Sequence, residues 1–337
     1  MIYVTSNVSR SIGMKLRSGA YLLFTALMAA PAGESMAQAN YPNRPVRVIV
    51  PSSPGGGTDI LTRLITPQLS ERLGQQVVVD NRPGAGSIIG NEIVARSPPD
   101  GYTLLMGIST LAILPSMHKK LSYDALRDLA PITQTISAPN ILVVHPSLPV
   151  KSVKELIAFA HKRPGELNFA SAGLGTNPHL SMELFLSMAK LRMVHIAYKG
   201  LGPAIIDLLA GHVVVATATM LTGLPHVRSG RLRGLGVTGA RRSSVLPDLP
   251  TVAEAGLPGY EVTQWYGLFA PAETPGEIIA KLHAATAAVL QTPAIREKFA
   301  ADGADAVGNT PDEFARFIRA ETDKWTKVVR TAGIKPQ

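Results

Sequence analysis

The chain has no cysteine, which excludes disulfides, thiolate chemistry and any metal site that needs sulfur. Its eight histidines form no H-x-x-x-H pair, so no metal site is expected. No G-x-S-x-G occurs, and no Ser, His and Asp set assembles from local spacing. Nothing therefore marks a catalytic centre, and the chain is expected not to be an enzyme. Aromatics are scarce, at 5%, and no Lys/Arg cluster interleaves with them, which argues against a nucleic-acid partner. Long apolar runs are missing as well. The run from Tyr21 to Ala30 is ten residues and is closed by Pro31, whereas a membrane span needs roughly 20. No later segment is long and apolar enough to cross a membrane, so the mature protein is not expected to be membrane-embedded.

What flanks that short run is informative. Arg10, Lys15 and Arg17 precede it, and Pro31, Gly33 and the small-residue stretch Ser35-Met36-Ala37-Gln38-Ala39 follow. A basic opening, a short apolar centre and an A-x-A-like end make a secretory signal peptide over residues 1–39, cleaved after Ala37 or Ala39. With no Cys after the apolar run, a lipoprotein anchor is excluded. The expected destination is the periplasm. Roughly 300 mature residues can bury a large core without disulfides, and that length suggests two domains. Removing Arg10, Lys15, Arg17 and Glu34 lowers the formal net charge from +9 to +7. Such a surface suits an anionic ligand and equally suits plain solubility.

Short apolar runs alternate with amphipathic ones throughout, the pattern of an α/β protein. Strands are expected at Val46–Val50, Val77–Asp80, Thr103–Gly107, Ile141–His145, Leu167–Ala170, Val194–Ala197, Val213–Thr217, Leu232–Val237 and Tyr266–Ala270. A helix from Asp59 to Leu73 buries Ile60, Leu61, Leu64, Ile65, Leu69 and Leu73, with a kink expected at Pro67. Ser152 with Glu155, Thr274 to Glu277, and Thr310 to Glu313 read as helix starts.

Three strand-to-helix loops could carry chemistry. In the first, Pro51 to Asp59, Gly55, Gly56 and Gly57 let successive N–H groups face one space, and the helix start adds free donors with partial positive charge. That combination suits a carboxylate, although Thr58 or Asp59 could equally serve only as the helix cap. It is no P-loop, because no Gly-Lys-Ser/Thr follows. The second loop, Asn81 to Ser87, also follows a strand, where ligands of open α/β sheets sit. Turn formation explains its Asn and Gly residues equally well. The third, Ser171 to His179, lies about a hundred residues after the first and could face it from a second lobe. Thr58 and Thr176 would then approach one ligand from opposite sides. Gly234 to Gly239 satisfies G-x-G-x-x-G, but its glycines fall inside a strand with no helix following, so dinucleotide binding is not expected. No cofactor is expected.

At these segments the chain resembles the Bug/TctC-type substrate-binding proteins of tripartite tricarboxylate transporters. The residues that carry the resemblance include Tyr41 to Pro45, Pro54 to Asp59, Asn81 to Gly86, Pro98 to Leu104, Ala197 to Gly200, Pro247 to Thr251 with Glu254 to Gly256, and Trp265 with Ala270-Pro271. The resemblance implies an α/β periplasmic binding protein fold, with two α/β lobes joined by two crossing strands. Residues 40–140 and 264–337 would form lobe one, and residues 141–263 lobe two. It also implies a small carboxylated ligand between the lobes, membrane permease subunits as partners, and a receptor that acts as a monomer. Carried over by position, the contacts would be Ser53, Gly56, Gly57, Thr58, Asp59, Asn81, Gly84 and Ala85 on one wall. Ser171, Gly175, Thr176 and His179 would form the other, with Tyr198 and Lys199 at the rim. Val214 and Ala218 stand where similar proteins usually carry acidic residues, which argues against an amino-acid ligand unless only strand packing has changed. A sensory receptor signalling to a membrane kinase, and more remotely a secreted hydrolase or lyase, remain alternative readings.

Overall fold

The computed structural model describes residues 41–55 and 57–336; the expected signal segment and Gly56 lie outside them. In chain order the elements begin β1 (Val46–Val50), α1 (Gly57–Leu73), β2 (Val77–Asn81), α2 (Ile88–Ala95), β3 (Thr103–Ile108), α3 (Thr110–Met117) and β4 (Leu129–Val144). Next come α4 (Val153–His161), β5 (Asn168–Ser171), α5 (Asn177–Ala189), β6 (Val194–Ala197), α6 (Leu201–Leu209), β7 (Val215–Thr219), α7 (Met220–Arg228) and β8 (Arg233–Val237). The last are β9 (Thr263–Pro271), α8 (Gly276–Leu290), α9 (Pro293–Ala301), β10 (Asp305–Ala306) and α10 (Pro311–Thr331).

The strand order is β2-β1-β3-β9-β4-β7-β5-β6, with β8 and β10 also pairing with β4. Two half-sheets share β4. Its first part, Leu129 to Pro139, lies antiparallel to β9, and its second part, Asn140 to Val144, lies antiparallel to β7. β1, β2 and β3 are mutually parallel in the first half, as β5, β6 and β7 are in the second. The chain recrosses at Val262, whose N–H donates to Thr238 of the second half just before β9 begins.

This register positions the site. Pro139 pairs with Thr263, Asn140 pairs with Thr219, and Ile108 pairs with Tyr266. The carboxyl ends of β3 and β7 therefore meet at the crossover of β4 and β9, and their parallel neighbours end on the same side.

The cores are apolar and well filled. β1, β3 and β9 pack Val48, Val50, Leu104, Met106 and Leu268 against Leu61, Ile65 and Leu69 of α1. α1 continues through Pro67. The tail helix α10 returns to lie against α3, β4 and α5, burying Phe314, Ile318 and Trp325. Phe314 is seated directly on Gly267 of β9, where an added Cβ would come within 2.1 Å of the ring. Any larger residue at 267 would expel the ring. Thr310 and Glu313 cap α10 reciprocally, as expected. Ser152 caps α4, but Glu155 reaches back to the Lys151 N–H rather than to the cap itself. Thr274 does not cap α8; its hydroxyl donates to Pro271 and closes the preceding turn.

Candidate ligand site

Strand-to-helix loops from both half-sheets meet at the crossover. On the first side, the β1–α1 loop is braced by charge. Asp59 accepts the Gly55 N–H at 2.9 Å through one oxygen and the Arg63 Nε at 2.9 Å through the other. Arg63 also donates to the Asn81 Oδ1 at 3.1 Å, and the Asn81 amide donates to the Ser52 carbonyl at 3.1 Å. Burial alone would raise the Asp59 pKa. The hydrogen bonds from Arg63, Gly55 and Asn81, with the Arg63 charge, outweigh it and hold the carboxyl below its usual range. Asp59 therefore organises the loop and spends both oxygens doing so. Thr58 is buried beside it, Ser53 is exposed, and Gly57 is half-buried.

This loop faces the other half-sheet. A Cβ placed on Gly57 would stand 3.5 Å from Leu221 of α7 and 3.6 Å from the Tyr266 hydroxyl of β9. Next to it, the turn after β2 holds Ala85 and Ser87 at φ of 46° and 85°. Such left-handed backbone is costly for residues with a side chain, and strain of this kind gathers where structure serves a site.

On the second side, the β5–α5 loop is braced by neutral groups. Ser171 is fully buried; its hydroxyl accepts the Gly173 N–H at 3.1 Å and lies 2.7 Å from the His195 Nε2. The Thr176 hydroxyl donates to the Gly173 carbonyl at 2.6 Å, so its proton is already committed. Gly175 has φ +73°, a conformation glycine adopts without strain. A Cβ there would also sit 3.4 Å from Met117, which ties this loop to the end of α3 in the first half. His179, placed by sequence on the ligand wall, lies behind the loop at 2% exposure.

At the rim, the Tyr198 hydroxyl donates to Asp207 at 2.7 Å. Burial, with the hydrogen bond and charge of Asp207, pushes the phenol up to about 12. Lys199 is exposed. Ala218 is fully buried against Ile141 and Gly223, so small size at this position serves strand packing.

Backbone donors are the chief chemical resource here. Helices α2, α3, α5, α6 and α7 start at this edge, and none has its first turn capped by its N-cap side chain. Their free N–H groups and partial positive charge favour an anion. Sequence reasoning missed a buried polar belt at the crossover. In it Asn140 donates to Asn177, Asn177 donates to the Thr263 carbonyl, and Ser109 donates to Gln264. The Asn140 Oδ1, Thr110 Oγ1 and Trp265 Nε1 have no partner among the described residues. Of these residues, Asn140 closes Thr133–Asn140, a polar stretch to which no element is assigned from sequence. A separate hollow of about 490 Å³, bounded by residues 118–127 and Thr322, contains none of the expected site residues. No group of three or more His, Asp or Glu residues among the described residues is arranged to hold a metal ion. Gly234 and Gly236 lie within β8, followed by turns rather than a helix, so the dinucleotide pattern is accidental.

Residues 61–334 match the family model described as the tripartite tricarboxylate transporter family receptor. BugT of Bordetella pertussis (strain Tohama I) is 42% identical over 313 residues, covering 92% of this chain and 95% of BugT. Rpa4515 of R. palustris, solved with adipate, superposes with a TM-score of 0.83 at 39% identity, covering 88% of this chain and all of that one. MatC (Rpa3494) from Rhodopseudomonas palustris, solved with bound malate, gives a TM-score of 0.79 at 32% identity, covering 86% of this chain and 100% of that one.

Proposed function

The chain belongs to the tripartite tricarboxylate transporter receptor family, and from that premise we propose that it captures a small carboxylate and delivers it to the membrane subunits of such a transporter. Its fold is that of the periplasmic solute-binding receptors, and its family is one of receptors rather than enzymes. The observation that carries the carboxylate reading is that Gly57, at the start of α1, lies against Leu221 and Tyr266, and Gly175, just before α5, lies against Met117, so that each loop faces the opposite half-sheet. Both loops bring helix N-termini with free first-turn N–H groups to one edge, from opposite half-sheets, while the Gly55, Gly173 and Gly175 N–H groups are taken up by Asp59, Ser171 and His179. Asp59, the acidic group of the first loop, is already neutralised by Arg63.

A ligand gripped by both loops makes contacts that exist only when the halves are closed, and a ligand shifts such an equilibrium only through that difference. Residues 40–140 with 264–337 then move as one lobe against 141–263, about Asn140 and Val262. The bound adipate and malate of the two related proteins make short dicarboxylates the first ligands to try. Thermal-shift screening tests the reading. Adipate or malate should raise the melting temperature, while adipamide and neutral sugars should leave it unchanged. A neutral sugar that stabilises more than any acid would overturn it. Export completes the proposal: periplasmic material should begin at Gln38 or Asn40, and N-terminal sequencing that returned Met1 would contradict it.

A further inference from the structure

Buried His179 and half-buried His195 stack directly behind the β5–α5 loop. Their ring centroids are 4.1 Å apart at 22°, and Phe169 stacks on the far face of His195 at 4.8 Å. Each ring holds a different part of the loop. The His179 Nδ1 accepts the Gly175 N–H at 3.2 Å, so this nitrogen carries no proton. The proton of the neutral ring is then on Nε2, which faces Glu183 at 3.6 Å.

Hydroxyl valence sets the other ring. A serine hydroxyl has one proton and two acceptor positions. Ser171 accepts from the Gly173 N–H, donates to the Gly173 carbonyl at 3.2 Å, and lies 2.7 Å from the His195 Nε2. All three bonds are made together only if His195 donates from Nε2. The accepting Nδ1 makes His179 neutral, and burial, which lowers the His195 pKa to about 4, keeps that ring neutral as well; through Gly175 and Ser171–Gly173 the two rings fix the backbone on either side of Leu174. The His179 Nδ1 is taken up by Gly175.

We infer that His179 and His195 are positioning residues: a neutral imidazole pair that sets the direction of the N–H groups of the β5–α5 loop and thereby the affinity for a carboxylate. The inference rests on the ligand-site reading above. Other groups of comparable size cannot replace the pair unless they reproduce the same acceptor at 179 and donor at 195.

Isosteres supply the test. In His179→Asn the amide oxygen can occupy the place of Nδ1, whereas His179→Leu keeps the bulk and removes the acceptor. Titration with adipate should show His179→Leu weakened about tenfold or more, as for an unsatisfied backbone donor, and His179→Asn restored to within about threefold of the wild type. At the other ring, His195→Gln keeps a donor for Ser171 and His195→Phe does not; the same ranking is expected. Hydrogen exchange of the Gly175 amide, read without ligand, should be slow in the wild type and in His179→Asn and fast in His179→Leu. Equal losses in the Asn and Leu variants, or unchanged binding in Leu, would overturn the inference. So would a ¹⁵N spectrum showing either ring protonated on Nδ1 at neutral pH. If the wild type bound no acid at all, the ligand-site reading would fail, and the exchange and ¹⁵N results would still decide whether the imidazoles hold the loop.

Discussion

The β1–α1 and β5–α5 loops occupy equivalent places in their half-sheets, yet they are braced by different physics. The first is held near the surface by an ionic clasp of Asp59, Arg63 and Asn81. The second is held from the interior by stacked neutral rings and hydroxyls. A charge-assisted brace tolerates water and is exposed to salt, because Arg63 is half exposed. A buried neutral brace is insensitive to salt but demands complete hydrogen bonding, since each orphaned donor bears its full desolvation cost. The two sides should therefore fail under different perturbations.

The largest effect is expected from Asp59→Ala, which releases Gly55 and Arg63 together. Charge-assisted bonds of this kind contribute roughly 1.5–3 kcal/mol, so adipate affinity should fall by about tenfold to a hundredfold. Calorimetric titration reads this directly. An unchanged affinity would mean that the first loop needs no clasp.

Acid separates the sides next. Burial and the neighbouring His179 depress the His195 pKa to about 4, below the unfolded value near 6.5. The unfolded chain then binds the extra proton between those values, so the stability from neutral His195 is complete above about pH 6.5. It declines as the pH falls toward 4. After discounting for partial exposure, the loss should be about 1–2 kcal/mol. Asp59 has a dependence of the same sign in a lower window: its contribution is present above the unfolded carboxylate pKa and is lost as the pH falls below it. Melting curves from pH 7.5 to 4.5 should fall more steeply for the wild type than for His195→Gln. Parallel curves would remove the assignment of this slope to His195.

Thr176→Val comes third. It deletes the 2.6 Å bond to Gly173 and should cost about 1 kcal/mol, a fivefold loss in affinity. The smallest effect belongs to Arg63→Met, which removes a half-exposed ion pair for about 0.5–1 kcal/mol. That loss should shrink as salt is raised, whereas the Thr176→Val loss should not. A common salt response would erase the contrast between the two loops.

The sequence showed this contrast unevenly. Asp59 and Arg63 sit four apart on a helix, so their pairing could be anticipated, while the Arg63 bond to Asn81 depends on β2 lying beside β1. His179 and His195 come from different elements, and no local pattern announces that their rings stack. Most strands were legible from apolar runs. β7 lies two residues later than expected, at Val215–Thr219, because Val214 is occupied by Asn168 in the turn before it. The long first part of β4 was missed because Pro131, Thr133, Gln134, Ser137 and Pro139 interrupt any apolar run. It is nonetheless a buried strand, broken by two register shifts and satisfied by Asn309. Tertiary hydrogen bonds there outweighed local propensity. The crossover that organises the site was therefore the least visible part of the chain.

The central claim is that one carboxylate is gripped by helix N-termini from both half-sheets. A crystal structure with adipate tests this most directly. One carboxylate should lie within hydrogen-bonding distance of backbone N–H groups at the starts of both α1 and α5. Adipate bound by one loop alone, or lodged in the hollow formed by residues 118–127, would contradict the account.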